Sequence, residues 1–130
     1  QTKEAVASIA TKLNEKNPQP YRDAITRLGS LAQTAKSAIE ANDPQQLGQL
    51  MNQAHEVLSF LEVSSPDLDR LVSAALSAGA LGAKLTGGGR GGCMIALAST
   101  RSEAEKVEEA IRQAGAIRTW IYQMGGNEDA

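Results

Sequence analysis

The run Lys84-Leu85-Thr86-Gly87-Gly88-Gly89-Arg90-Gly91-Gly92-Cys93 puts five glycines into six positions, and the apolar stretch Met94-Ile95-Ala96-Leu97-Ala98 follows at once. Glycine tolerates positive φ and leaves the backbone bare, at a high entropic cost on ordering. Neither a helix nor a strand runs through such a segment, so it must be a connection. The stretches on either side, Leu81 to Thr86 and Cys93 to Ala98, are of strand length, and two strands joined this closely pair antiparallel. A tight hairpin turn needs only one or two glycines. The surplus points to a ligand, because successive unobstructed N–H groups form a concave nest for a phosphate or a carboxylate. A Walker P-loop is excluded, since no Gly-Lys-Ser/Thr closes the segment. A dinucleotide fingerprint is disfavoured, since the loop opens into an apolar run rather than a helix.

Before the loop the apolar spacing is helical. Val6, Ile9, Ala10 and Leu13 mark a helix over 3–16, which Asn17-Pro18-Gln19-Pro20 breaks. Ile25, Leu28, Ala32, Ala35 and Ile39 mark a second helix from Tyr21 to Ala41. Asp43, Pro44 and Gln46 fit the cap, N1 and N3 positions of a third helix, whose stripe is Leu47, Leu50, Met51, Ala54, Leu58 and Leu61. Ser65 and Pro66 open a fourth helix carrying Leu68, Leu71, Val72 and Ala75, and Gly79 can end it. After the loop, Thr100 and Glu103 open a further helix with Ala104, Val107, Ile111 and Ala114, ending at Gly115. Ile117-Arg118-Thr119-Trp120-Ile121-Tyr122 is β-branched and aromatic, which predicts a third strand. Residues 125–130 read as a frayed tail. The expected fold is α+β: a ferredoxin-like antiparallel sheet, a fourth strand contributed from upstream, helices packed on one face and a helix-rich N-terminal half.

Composition narrows the function. The chain has 130 residues, 13 basic and 15 acidic, for a formal charge of −2. That suits one domain and disfavours a general nucleic-acid or membrane-surface binder. No apolar run approaches the roughly 20 residues of a membrane span, and no secretory signal is visible. The single cysteine cannot form an internal disulfide, so a reducing, cytoplasmic setting is expected. The chain opens Gln1-Thr2-Lys3-Glu4 directly into a helical pattern, which reads as part of a longer protein.

The segment Gly79-Ala80-Leu81-Gly82-Ala83-Lys84-Leu85-Thr86-Gly87-Gly88-Gly89-Arg90-Gly91-Gly92-Cys93-Met94-Ile95-Ala96-Leu97 resembles the third conserved motif of the galactokinase, homoserine kinase, mevalonate kinase and phosphomevalonate kinase (GHMP) superfamily. Within it, the pattern is most similar to that of the mevalonate kinase family. Two further stretches are similar to that family in the expected order. One is Met51-Asn52-Gln53-Ala54-His55-Glu56-Val57-Leu58, continued by Val63-Ser64-Ser65-Pro66-Asp67-Leu68-Asp69; the other is Thr2-Lys3-Glu4-Ala5-Val6. Together they span nearly the whole chain.

The resemblance implies the C-terminal, substrate-side domain, residues 1–130, of a kinase that phosphorylates the mevalonate hydroxyl with ATP and Mg²⁺. It implies an N-terminal lobe as partner, carrying the ATP loop and the catalytic Asp and Lys, with mevalonate and ATP at the interlobe cleft. The parent enzyme is a candidate homodimer. No catalytic residue and no metal ligand is expected in this chain, no cofactor is expected to bind it alone, and the isolated domain is expected to be inactive. Gly87, Gly88, Gly89, Arg90, Gly91 and Gly92 are the expected phosphate-side cleft. Thr2, His55, Ser64 and Lys84 are further candidates, each with a plain alternative. Thr2 can cap the first helix, and Ser64 and Ser65 can cap the fourth. Lys84 can be a solvated strand lysine. His55, the only histidine, can be a surface or internally satisfied side chain. Arg90 can contact phosphate or point to solvent. Cys93 is expected to be buried in the strand. Three other readings stay open: a stand-alone ferredoxin-like module binding an anionic metabolite, another superfamily kinase acting on phosphomevalonate or galactose, and a pure interaction domain.

Overall fold

A computed structural model describes residues 18–61, 63–86 and 92–123. The helix expected over 3–16, Thr2, Gly87 to Gly91 with Arg90, and the tail 125–130 lie outside the described residues. The elements run α1 (Gln19–Glu40), α2 (Pro44–Phe60), α3 (Pro66–Ser77), β1 (Gly82–Thr86), β2 (Cys93–Leu97) and α4 (Arg101–Gln113).

Local chemistry sets most of these boundaries. Asp43, Ser65 and Thr100 are the N-caps of α2, α3 and α4, and their side chains accept from the backbone N–H of Gln46, Leu68 and Glu103, each three residues on. Gly79 and Gly115 end α3 and α4 at φ +108° and +120°. At each end two successive N–H groups return to carbonyls inside the helix: Gly79 N to Leu76 O with Ala80 N to Ala75 O, and Gly115 N to Arg112 O with Ala116 N to Ile111 O. Asn42, at φ 55°, closes α1 in the same way.

β1 and β2 pair antiparallel, with Ala83 opposite Ala96, Lys84 opposite Ile95 and Leu85 opposite Met94. Side chains alternate across a strand. Ala83, Leu85, Met94 and Ala96 therefore share the inner face, where Val72 and Ala75 of α3 and Val107 of α4 pack on Ala83, while Leu61, Val63 and Leu68 pack on Leu85. Leu61 is fully buried, which stabilises the fold by about 1.5–3 kcal/mol relative to leaving it exposed. α1 joins through Leu31 and Ala38 against Leu50 and Ala54 of α2, and Tyr21 stacks on Phe60 at 5.3 Å. The opposite sheet face presents Lys84, Cys93 and Ile95.

α2 does not lie under the sheet. It runs along the β1 edge, where two glycines meet. A Cβ on Gly82 would come within 2.6 Å of Gly48 Cα, and one on Gly48 within 2.6 Å of the Leu81 carbonyl carbon.

Two expectations need correction. Residues 117–122 form no strand; Ile117, Trp120 and Tyr122 are 100%, 76% and 88% exposed. Strand propensity is realised only against a neighbour, and among the described residues no backbone ladder reaches this segment. It is held instead by Thr119, whose hydroxyl donates to Glu108 at 2.7 Å and accepts from Arg112 at 3.1 Å, both on α4. The sheet therefore has two strands among the described residues, and the α+β class holds at that coarser level. Cys93 is exposed rather than buried, because it starts β2 on the outer face, which no described helix covers.

Candidate functional site

Asn52, His55 and Ser59 lie three and four residues apart on α2, so they share one helical face. That face turns toward β1 and the start of α3. Asn52 Oδ1 accepts from the Ala83 N–H at 2.9 Å, and its Nδ2 donates to the Leu81 carbonyl at 3.4 Å. One residue pair further along the strand, the Leu85 N–H donates to His55 Nδ1 at 3.1 Å. A side-chain amide and an imidazole thus fill the strand edge where a third strand would pair.

The Leu85 contact also fixes the ring. A nitrogen that accepts carries no proton, so the His55 proton is assigned to Nε2, which donates to Asp69 Oδ1 at 2.9 Å. The same carboxylate oxygen accepts from Ser64 Oγ at 2.8 Å and Ser59 Oγ at 3.4 Å. Asp69 sits in the first turn of α3, where the helix dipole favours negative charge. Partial burial works to raise its pKa. The hydrogen bonds from Ser64, His55 and Ser59 outweigh this and hold the carboxyl below its ordinary 3.8. Asn52, His55, Ser59 and Asp69 line a cleft of about 390 Å³ whose apolar wall includes Val72 and Leu76.

The predicted residues divide. His55 is 8% exposed and both ring nitrogens are used inside the domain, so the internally satisfied alternative describes its geometry. Ser64 is not a helix cap; Ser65 is, and the Ser64 hydroxyl goes to Asp69. Lys84 is half-buried on the other side of the strand; its ammonium donates to the Leu85 carbonyl at 2.9 Å, and burial lowers its pKa. Gly92 is exposed where β2 begins. His55 and Ser64 are therefore brought together on Asp69, and Lys84 meets His55 only through the Leu85 main chain that both contact. Asn52 and Asp69 were not singled out from sequence. The available signal was the polar stripe Asn52, His55, Ser59, which has no reason to persist opposite the apolar one unless something covers it.

Among the described residues no group of three or more His, Cys, Asp or Glu side chains could hold a metal ion, and no helix is long and apolar enough to cross a membrane.

A family model described as GHMP kinases C terminal matches residues 35–117. A mevalonate kinase of Pyrococcus horikoshii is 44% identical over 89% of this chain and 35% of its own length. One from Aeropyrum pernix is 48% identical over 72% of this chain and 28% of its own length. Among solved structures, L. major mevalonate kinase in complex with R-mevalonate superposes with TM-score 0.81 at 29% identity, over 87% of this chain and 34% of that one. Mevalonate kinase from methicillin-resistant Staphylococcus aureus gives 0.71 at 35% identity, over 82% and 36%. The chain spans about a third of the length of these relatives.

Proposed function

The chain belongs to the GHMP kinase C-terminal family, and from that premise we propose that it is the substrate-side domain of an ATP-dependent mevalonate kinase. The observation that carries the proposal is the fit to the L. major enzyme, a structure determined with R-mevalonate, over 87% of this chain. The motif from Gly79 to Leu97 supports the same reading.

In this reading the other lobe supplies the nucleotide loop and the groups that move the proton, and the reaction runs in the cytoplasm. Phosphoryl transfer relies on positioning and on stabilising charge over the transferred oxygens. The unobstructed N–H groups that the run Gly87 to Gly92 offers suit that task, since oriented dipoles stabilise charge that develops on the transferred oxygens. Arg90 adds a cation to the same segment. The partner lobe closes the cleft over the end of β1, with mevalonate and ATP between. The reaction class calls for Mg²⁺ with the nucleotide, which in this reading the other lobe binds.

The test is calorimetric titration of the chain alone with ATP–Mg²⁺, mevalonate and phosphomevalonate, alongside a coupled assay for ADP. A half-site predicts binding weaker than millimolar and no mevalonate-dependent ADP. Micromolar binding of an anionic ligand by the chain alone would favour a stand-alone module and overturn the proposal, as would turnover without a partner lobe.

A further inference from the structure

We propose that His55 is a positioning residue for the end of β1, acting through the Leu85 N–H that its Nδ1 accepts. The inference rests on the reading of this chain as the substrate-side domain of a kinase.

Three observations converge. The first is topological. In β1 the N–H groups of Ala83 and Leu85 point away from β2, and no described strand lies there to receive them. α2 receives them, through Asn52 for Ala83 and His55 for Leu85. A three-residue step along a helix advances about 4.5 Å, whereas two strand residues advance about 6.7 Å. A longer side chain is needed at the second position, and imidazole supplies it. The second is the place of Leu85. It is one residue short of the end of β1 and two residues before the glycines in the sequence, so its bond holds the last part of the strand edge against α2. Its side chain is buried with Leu61, Val63 and Leu68, which fixes the same residue from the other side. The third is the anchoring of the ring. Nε2–H is held by Asp69, which Ser64 and Ser59 hold in turn. One buried ring thereby joins α2, the first turn of α3 and the end of β1. A histidine serving only to fill space would not need both nitrogens matched.

The two nitrogens can be separated by substitution. Asn places an acceptor near the Nδ1 position and lacks reach to Asp69; Gln places a donor near Nε2 and lacks the acceptor for Leu85. Amide hydrogen exchange is measured in the chain for wild type, His55→Asn and His55→Gln, with Ala83 and Val107 as internal references for the strand edge and the core. We expect Leu85 exchange to rise about tenfold relative to Ala83 in H55Q, and to stay within about threefold in H55N, as the loss or retention of one hydrogen bond implies. Equal effects in both variants, or none in H55Q, would overturn the proposal. ¹⁵N spectra of the wild-type imidazole give a test without substitution: the Nε2–H tautomer is expected, and an Nδ1–H tautomer is incompatible with it. In a chimera carrying the P. horikoshii N-terminal portion, kcat should fall about tenfold in H55Q with KM little changed, and recover in H55N. An inactive wild-type chimera with the expected exchange pattern would count against the kinase reading and leave the positioning of Leu85 standing.

Discussion

Asp69 gathers three side-chain donors on a single oxygen, and the consequences are confined to that residue and its partners. Asp69→Ala leaves the buried His55 Nε2–H without an acceptor, which should cost about 1–3 kcal/mol in the urea unfolding free energy at pH 7. Asp69→Asn keeps an acceptor oxygen and should cost less. The charge has its own signature. The folded carboxyl titrates below the unfolded one, whose ordinary value is 3.8. Between the two values the unfolded chain binds more protons, so stability rises with pH there. The contribution is fully present above the unfolded value and is lost as pH falls through the folded one. Urea midpoints from pH 7 down to pH 2.5 should therefore drop less in Asp69→Asn than in wild type; identical profiles would show that this carboxylate does not contribute to acid lability.

Helices and strands differ in how much of them the chain announces. The caps at Asp43, Ser65 and Thr100 and the stops at Gly79 and Gly115 were legible because each is settled within four residues of chain. The strand expected at Ile117 to Tyr122 was not, because a ladder needs a partner that composition cannot supply. His55 was legible as a candidate, but its burial was not: helical spacing says that Asn52, His55 and Ser59 share a face, not which element covers it. The Gly48–Gly82 contact was equally hidden, since a glycine within a helix reads as a propensity defect until a strand backbone is found against it. That contact makes a prediction of opposite signs for one substitution. Gly29, in α1, has nothing within 4 Å of where a Cβ would stand, so Gly29→Ala should raise stability by about 0.5–1 kcal/mol through helix propensity. Gly48→Ala has the same propensity gain, yet its methyl would run into the Leu81 backbone, so it should lower stability by about 1–3 kcal/mol. Thermal melts of the two variants beside wild type check both signs at once.

At the scale of the whole molecule, the described helices cover one face of the two-stranded sheet. The described core closes between α1, α2, α3, α4 and the inner sheet face, while Cys93, Ile95, Ile117, Trp120 and Tyr122 stay exposed. Relatives roughly three times its length carry the matching region as one part of a larger fold, and exposed apolar surface is what a domain built to meet another lobe retains. On the proposed function, activity is expected from the pair of lobes and not from this chain. The decisive experiment replaces the matching region of the P. horikoshii mevalonate kinase with this chain and measures ADP release with mevalonate, phosphomevalonate, galactose and homoserine as acceptors. Mevalonate-dependent turnover by the chimera is expected, with none for the other acceptors and none from the chain alone. A folded chimera that turns over no mevalonate, or that prefers another acceptor, would show that this domain does not serve a mevalonate kinase.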